Sequence, residues 1–417
     1  GRFPDIAPLG GGFGGLLWGS AGITVPWECY QQYGDTILLS EHYDAMKRYI
    51  QYIIDNTIET ETNLIVQTRS WGDLCDWLGL EDEKNDKSLV WEAYFIYDLE
   101  LMAKMATVLG KVTDAEWFRE LHAARKDFFN KTYIEPETGK TLFSAFVPEK
   151  KGSHIDIQTS YVLPLAFNII DEENRNKVIA NLAETVRREN TTDRGQQCPS
   201  YSLMTGFIGT SWINKALSDY GHSDLAYRLL QQTSYPSWLY SIEQGATTIW
   251  ERLNSYTRTD GFGGNNRMNS FNHYSFGAVG AWMYNYSLGI QRDETFPGFK
   301  QFVLKPMPDP TGKMTYARGY YDSMYGRIES GWKVESGVIR YTFTVPANTT
   351  ATLYLPTASL RDVREKTKPV RKCKGVEFIS EGNGEVVLKL LSGSYSFEVK
   401  KDYPLAARKR KKYVFVR

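Results

Sequence analysis

The sequence predicts a mainly α fold, a toroid of helical hairpins, followed by a small antiparallel β-sandwich. Three observations predict it. Apolar residues recur at helical spacing in segment after segment as far as residue 290. The links between those segments alternate short and long, as they do when successive helices pair into hairpins of roughly 40–50 residues. After residue 297 the writing changes to alternating apolar and polar residues with Gly and Asn turns, the signature of short strands. The boundary falls near 293–298, giving domains 1–296 and 297–417.

The elements follow in order. Residues 18–33 place apolar side chains at helical intervals and stop at Gly34-Asp35. Residues 36–55 carry Leu38, Leu39, Met46, Tyr49, Ile50 and Ile53 along one side. A polar connection leads to "SWGDLCDWLG", 70–79. A long helix over 88–110 is stopped by Gly110, and 114–133 is its antiparallel neighbour. "PETG" at 136–139 is a turn. Helices are predicted over 155–170, 173–189, 210–221 and 223–242, the last broken at Pro236. A final helix is predicted over 270–290. No strand is expected among them. From "YGRIESGWKV" onward the period is two, which reads as a sandwich of short strands.

Composition narrows the function. The 417 residues are 42% hydrophobic, enough apolar material for a large core. Lys+Arg and Asp+Glu both number 49, so nothing argues for nucleic acid or an anionic membrane as partner. The one basic run, 407–417, reads as a solvated tail or edge strand. No apolar run reaches the ~20 residues of a membrane helix. Cys29, Cys75, Cys198 and Cys373 are far apart and the five His show no ligand spacing, so free thiols and no metal or cofactor are expected. Aromatic residues make up 14%, which suits a thick core and equally a cleft whose flat rings stack on sugar C–H faces.

The predicted loops hold the chemistry. "WGSAG" (18–22), "WGDLCDWLG" (71–79), "SLMTGFIGTSW" (202–212), "GATTIWERLNS" (245–255) and "MNSFNHYSFG" (268–277) are rich in Trp, Asp, Glu, Asn and His. Loops of a hairpin toroid gather at one mouth, so polar groups converge there. Inverting glycoside hydrolysis uses a general acid and a general base about 6.5–9.5 Å apart. Glu251 suits the base: Trp250 beside it would limit water, Gly245 would let backbone approach closely, and Thr247 and Thr248 would hold the carboxylate charged. The competing reading has Glu251 capping a turn or pairing with Arg252. Likewise Trp71 and Trp77 suit a plain core, and His273 a satisfied structural role.

The order "FPDIAP … WGSAGITVPWECYQQYGD … DWL … MTGFIGT … ALSDYGHSDLAYRLL … YPSWLYSIEQGATTIWERLNS … MNSFNHYSFGAVGAWMY … PGFKQFVLKP" resembles the α-L-rhamnosidases of glycoside hydrolase family 78, over most of residues 3–306. The resemblance implies an (α/α)6 toroid, incomplete at its N-terminus here, then a β-sandwich, and hydrolysis of rhamnosides with inversion. It implies that Glu251 is the general base, that His273 contacts the sugar and that Trp77 stacks on it; Asp76, Trp250 and Trp18 are taken with them as substrate-binding candidates. Two departures stand out. Ser20 occupies the place of an Asp in the family's "WGDA", and the family's general-acid segment is expected upstream of Gly1. Asp5, Asp73, Asp76 and Glu243 are the in-chain carboxylates left to consider as acid, none in a motif for it. Two other readings stay open: a carbohydrate-binding module without turnover, and another (α/α)6 glycosidase.

Overall fold

The computed structural model describes residues 1–4, 7, 12, 15–67, 74–263, 269–335, 337–365 and 368–400. They form two compact units, Gly1–Gly280 and Ala281–Arg417. This division falls ahead of the 296/297 boundary read from the period change. The reason is that residues just after 290 already pair as a strand in the second unit.

The first unit is built of α1 (Leu16–Gly19), α2 (Ala21–Tyr33), α3 (Ile37–Thr57), α4 (Lys87–Val108), α5 (Val112–Tyr133), α6 (Gln158–Ala166), α7 (Glu172–Arg187), α8 (Phe207–Asp219), α9 (Ser223–Gln231) and α10 (Trp238–Glu243). Consecutive helices pair as α2/α3, α4/α5, α6/α7 and α8/α9, while α2, α4, α6 and α8 pack on one another in series. The result is an inner row backed by an outer row. Composition explains which helix goes where. In α4, 16 of 22 residues are buried because apolar side chains surround the whole helix. In α5 only six of 22 are buried, along one stripe from Ala115 to Tyr133.

Caps and buried polar links position the connections. Asp86 caps α4, accepting from the Ser88 and Ser144 amides at 2.9 and 2.7 Å. The fully buried Trp91 donates its indole N–H to the Leu74 carbonyl at 2.8 Å, which ties the segment leading to Asp76 and Trp77 onto α4. Arg125 of α5 forms a buried ion pair with Glu92 of α4 and reaches Asn63 Oδ1 at 2.8 Å.

Three expectations change. The 18–33 helix is interrupted at Ser20. A two-residue ladder, β1 (Asn190–Thr191) with β2 (Gln197–Cys198), lies among the helices, where none was expected. The predicted 270–290 helix is only a 3-10 turn at Ser275–Ala278, the short α11 (Val279–Trp282) and a π-helical turn at Met283–Ser287. The 270–274 stretch instead hydrogen-bonds to the Glu251 segment, so tertiary pairing outweighs its local helical spacing. The basic run at 407–417 lies outside the described residues.

The second unit contains β3 (Ile290–Arg292), β4 (Gln301–Leu304), β5 (Tyr316–Ser323), β6 (Gly326–Glu335), β7 (Val338–Val345), β8 (Thr350–Leu355), β9 (Val363–Glu365), β10 (Lys368–Pro369), β11 (Val376–Gly382), β12 (Glu385–Leu390) and β13 (Gly393–Lys400). They form sheets of order β10-β9-β13-β7-β6-β5 and β11-β12-β8-β4-β3, antiparallel but for the parallel pair β4–β8. Alternate residues point inward, as in Ile339, Tyr341, Phe343 and Val345 of β7, and meet Leu353, Leu355 and Leu388 in one core.

Candidate active site

After α10 the chain turns at Gly245, whose φ of 107° is a region that glycine enters freely. A Cβ there would meet nothing within 4 Å, so the glycine serves the turn rather than a close approach. Residues 249–251 then run beside 270–273. The Glu251 amide donates to the Ser270 carbonyl at 2.8 Å, and the Ser270 amide donates to Glu251 Oε2 at 2.8 Å. The His273 amide donates to the Ile249 carbonyl at 2.9 Å. Glu251 is thus held through its own backbone and one carboxylate oxygen. It is half-buried, and among the described residues no hydrogen bond reaches Oε1 and no cation pairs with the carboxylate. Arg252 makes no ion pair with it there. Thr248 donates instead to the Phe271 carbonyl, and no bond from Thr247 to the carboxylate is present. The expected threonine support is supplied by the Ser270 amide.

Trp250 is 7% exposed and packs edge-on against Phe271 at 5.4 Å and Tyr256 at 6.5 Å, with Phe262 closing the cluster. Its indole is thus largely covered by the aromatic side chains of its own loop. His273 is half-buried between two rings: Phe207 at 4.8 Å and Tyr274, nearly parallel at 13° and 5.5 Å. The Ser275 amide donates to His273 Nδ1 at 3.3 Å, so the neutral ring carries its proton on Nε2. That N–H has no partner among the described residues and is available to a ligand oxygen. Tyr274 is 86% exposed, an unusually bare aromatic face next to the imidazole.

Trp77 is half-buried, and its carbonyl accepts from the Phe207 amide at 2.9 Å, at the first residue of α8. A continuous set of contacts therefore joins Trp77, Phe207, His273 and Glu251. Asp76, expected at the sugar, is 1% exposed and faces the start of α8. Burial, and secondarily the neighbouring Asp82, push its carboxyl up to about 6, while bonds from Thr159, Gly209 and Gly206 pull the other way. Gly206 is pressed so tightly here that a Cβ would collide with the Asp76 and Trp77 carbonyls and the Gly79 amide. Gly206→Ala is therefore expected to destabilise the helical unit by about 1–3 kcal/mol; an unchanged melting temperature would show that the segment yields freely.

Trp18 is half-buried in α1, and no hydrogen bond or ring contact joins it to Glu251 or His273 among the described residues. Ser20 is buried and donates to Asp98 Oδ2 of α4 at 2.5 Å. Glu243 is exposed at the end of α10. Asp5, Trp71 and Asp73 lie outside the described residues. No disulfide joins any of the four cysteines. Among the described residues no group of three or more His, Cys, Asp and Glu could hold a metal ion, and no helix is long and apolar enough to cross a membrane. Sequence reasoning missed Phe207, Ser270 and Asp98. Phe207 stands within the quoted "MTGFIGT", but its stacking on an imidazole 66 residues later has no local signal.

Inner and outer helices paired as hairpins, with a carboxylate, an imidazole and an indole on their connections, place the helical unit in the α/α-hairpin class. The bacterial alpha-L-rhamnosidase six-hairpin glycosidase domain model matches residues 1–287, and the bacterial alpha-L-rhamnosidase C-terminal domain model matches residues 289–369. The chain belongs to the bacterial α-L-rhamnosidase family. It is 34% identical over 401 residues to an alpha-L-rhamnosidase of Streptomyces avermitilis, covering 96% of this chain and 34% of that protein. It is 31% identical over 389 residues to one of Formosa agariphila, covering 92% and 38%. The crystal structure of the Streptomyces avermitilis enzyme complexed with L-rhamnose superposes with a TM-score of 0.79 at 33% identity, covering 96% of this chain and 34% of that one. The Dictyoglumus thermophilum alpha-L-rhamnosidase structure gives 0.76 at 30% identity, covering 93% and 40%. The chain thus spans about a third of the length of these curated relatives.

Proposed function

We propose that this chain carries the catalytic-base side of an inverting glycosidase that releases terminal α-L-rhamnose from glycans or glycosides. The observation that carries the reading is Glu251: one oxygen is held by the Ser270 amide, the other is unengaged among the described residues, and the His273 segment is bonded alongside. A half-buried carboxylate with one unengaged oxygen suits removal of a proton from an attacking water. His273 Nε2–H suits a sugar hydroxyl, and the Trp77 indole suits the C–H face of the ring. Trp250 and Asp76 serve this arrangement from behind. The general acid is proposed to lie in a segment outside these 417 residues, as the family resemblance implies.

The test is release of p-nitrophenol, a leaving group that departs as its anion without a general acid, from p-nitrophenyl α-L-rhamnoside beside a panel of other aryl glycosides. Proton NMR of the first product should show β-L-rhamnose; first appearance of the α anomer would rule out inversion. Preference for another glycoside in the panel would move the chain to a different glycosidase specificity. A second reading, sugar binding by this chain without turnover, is favoured by one observation. Asp76 is occupied within the fold and Glu243 is exposed at a helix end, so neither suits the acid. L-Rhamnose binding with no release would establish that reading.

The bare ring of Tyr274 suggests where a leaving group rests. Tyr274→Ala is expected to raise KM for the aryl rhamnoside about 2–10-fold, the loss of one aromatic stack of about 0.5–1.5 kcal/mol, while Tyr274→Phe keeps it. Equal KM for all three proteins would remove Tyr274 from the substrate path.

A further inference from the structure

We propose that Asp76 is a positioning residue: its carboxylate locks the Trp77 segment to the N-terminus of α8 and so sets where Phe207, and through it His273, stands. The proposal rests on the reading of Trp77 and His273 as sugar contacts, but its first readout does not.

A buried carboxylate is tolerated only when donors compensate its lost hydration. Asp76 Oδ1 accepts from the Ile208 and Gly209 amides at 3.0 and 2.9 Å. Oδ2 accepts from the Gly206 amide at 2.8 Å and from the Thr159 hydroxyl. Four donors leave no lone pair directed at a ligand, which argues against a substrate contact. Three of the donors are amides at the start of a 13-residue helix, where an N-cap side chain would ordinarily sit. The residue at that place is Gly206, which has no side chain to cap with. Asp76, 130 residues earlier, supplies the missing oxygen atoms, and its negative charge also faces the positive end of the helix dipole.

This clamp joins two proposed contact residues. Trp77 follows Asp76 directly, and its carbonyl takes the Phe207 amide at 2.9 Å. The Gly79 amide returns to the Asp76 carbonyl at 2.7 Å, and the Leu80 amide bonds to the Met204 carbonyl at 2.9 Å, so the segment is bonded on both sides of Trp77. The Phe207 ring then meets His273 at 4.8 Å and Phe276 edge-on at 5.3 Å. Any tilt of the first turn of α8 moves the ring on which the imidazole rests.

The experiment uses the whole chain with Asp76→Asn, which keeps the shape but puts an amide NH2 among four donors, and Phe207→Leu, which keeps the clamp but removes the ring. The imidazole proton NMR signals are recorded, with His273 assigned by its loss in His273→Gln, and L-rhamnose affinity is titrated. Both variants are expected to shift the His273 signal and to weaken L-rhamnose binding roughly tenfold. If Asp76→Asn does not fold, Thr159→Val, which removes one donor, takes its place with the same expectation. A lower melting temperature with unaltered His273 signal and rhamnose affinity would overturn the proposal, because a purely structural carboxylate would behave that way. A shifted His273 signal in a chain that never binds L-rhamnose would uphold the positioning role and defeat the substrate reading instead.

Discussion

Replacement of Glu251 by Gln is expected to lower kcat on p-nitrophenyl α-L-rhamnoside by about 10²–10⁴-fold, the usual contribution of general acid–base catalysis, with KM little altered. The substitution is nearly isosteric. A Gln side-chain carbonyl still accepts from the Ser270 amide, and the backbone bond from residue 251 to the Ser270 carbonyl is untouched. What disappears is the ability to take a proton. A loss confined to kcat means an interaction made only in the transition state. A rise in KM at constant kcat would instead make Glu251 a sugar contact, and equal kinetics would remove it from the reaction.

The second large effect is on stability. The helical unit is expected to lose stability as pH rises from 5 to 8, and Asp98→Asn is expected to flatten that loss. Asp98 is fully buried on α4, and its only donor among the described residues is the Ser20 hydroxyl. Its Oδ1 has no partner. Burial therefore pushes the carboxyl up to about 8, with the Ser20 bond pulling slightly the other way. An unfolded Asp releases its proton near pH 4. Between about 4 and 8 the folded state keeps a proton that the unfolded state has lost, so raising the pH favours unfolding. At about 1.36 kcal/mol per pH unit, the span from 5 to 8 amounts to about 4 kcal/mol at most.

Other groups add to or oppose this slope. Asp76 and Glu81, raised chiefly by burial to about 6 and about 7, act in the same direction. His122, lowered chiefly by burial, opposes it near neutrality. Asp114 and Asp156 are held low, Asp114 chiefly by Lys47 and Asp156 by Tyr161 and Arg188 against its burial, and their contribution is already present above pH 5. Thermal unfolding from pH 5 to 8 is the measurement. Asp98→Asn should melt higher than the parent at pH 8 and close to it at pH 5. Parallel curves for the two proteins would show that Asp98 is ionised throughout.

The hairpin architecture was legible because burial writes itself into spacing. α4 is apolar on every side and becomes an inner helix, whereas α5 has one stripe and lies outside. The stop at Gly110 and the switch to period two were equally local. The same rule failed at 270–290, where helical spacing was present but the Ser270 and His273 amides bond to the Glu251 segment instead. Of the proposed site, Glu251, His273 and Trp77 could be named from motifs, and contacts through Phe207 bring their segments together. Trp250 and Asp76 could be named from the same motifs, yet one faces an aromatic cluster and the other a helix end.

By itself the sequence determined the run of helices, the β unit that follows and the family, since periodicity and motif order are properties of neighbouring residues. Only the tertiary structure decided what each polar group does. The partners of a carboxylate are whichever donors the fold brings opposite it. For Asp76 those are amides some 130 residues away, for Asp98 a hydroxyl 78 residues before it, and for Glu251 an amide 19 residues ahead. No spacing along the chain encodes such pairings, because each depends on how the chain folds back on itself or on how separate elements pack.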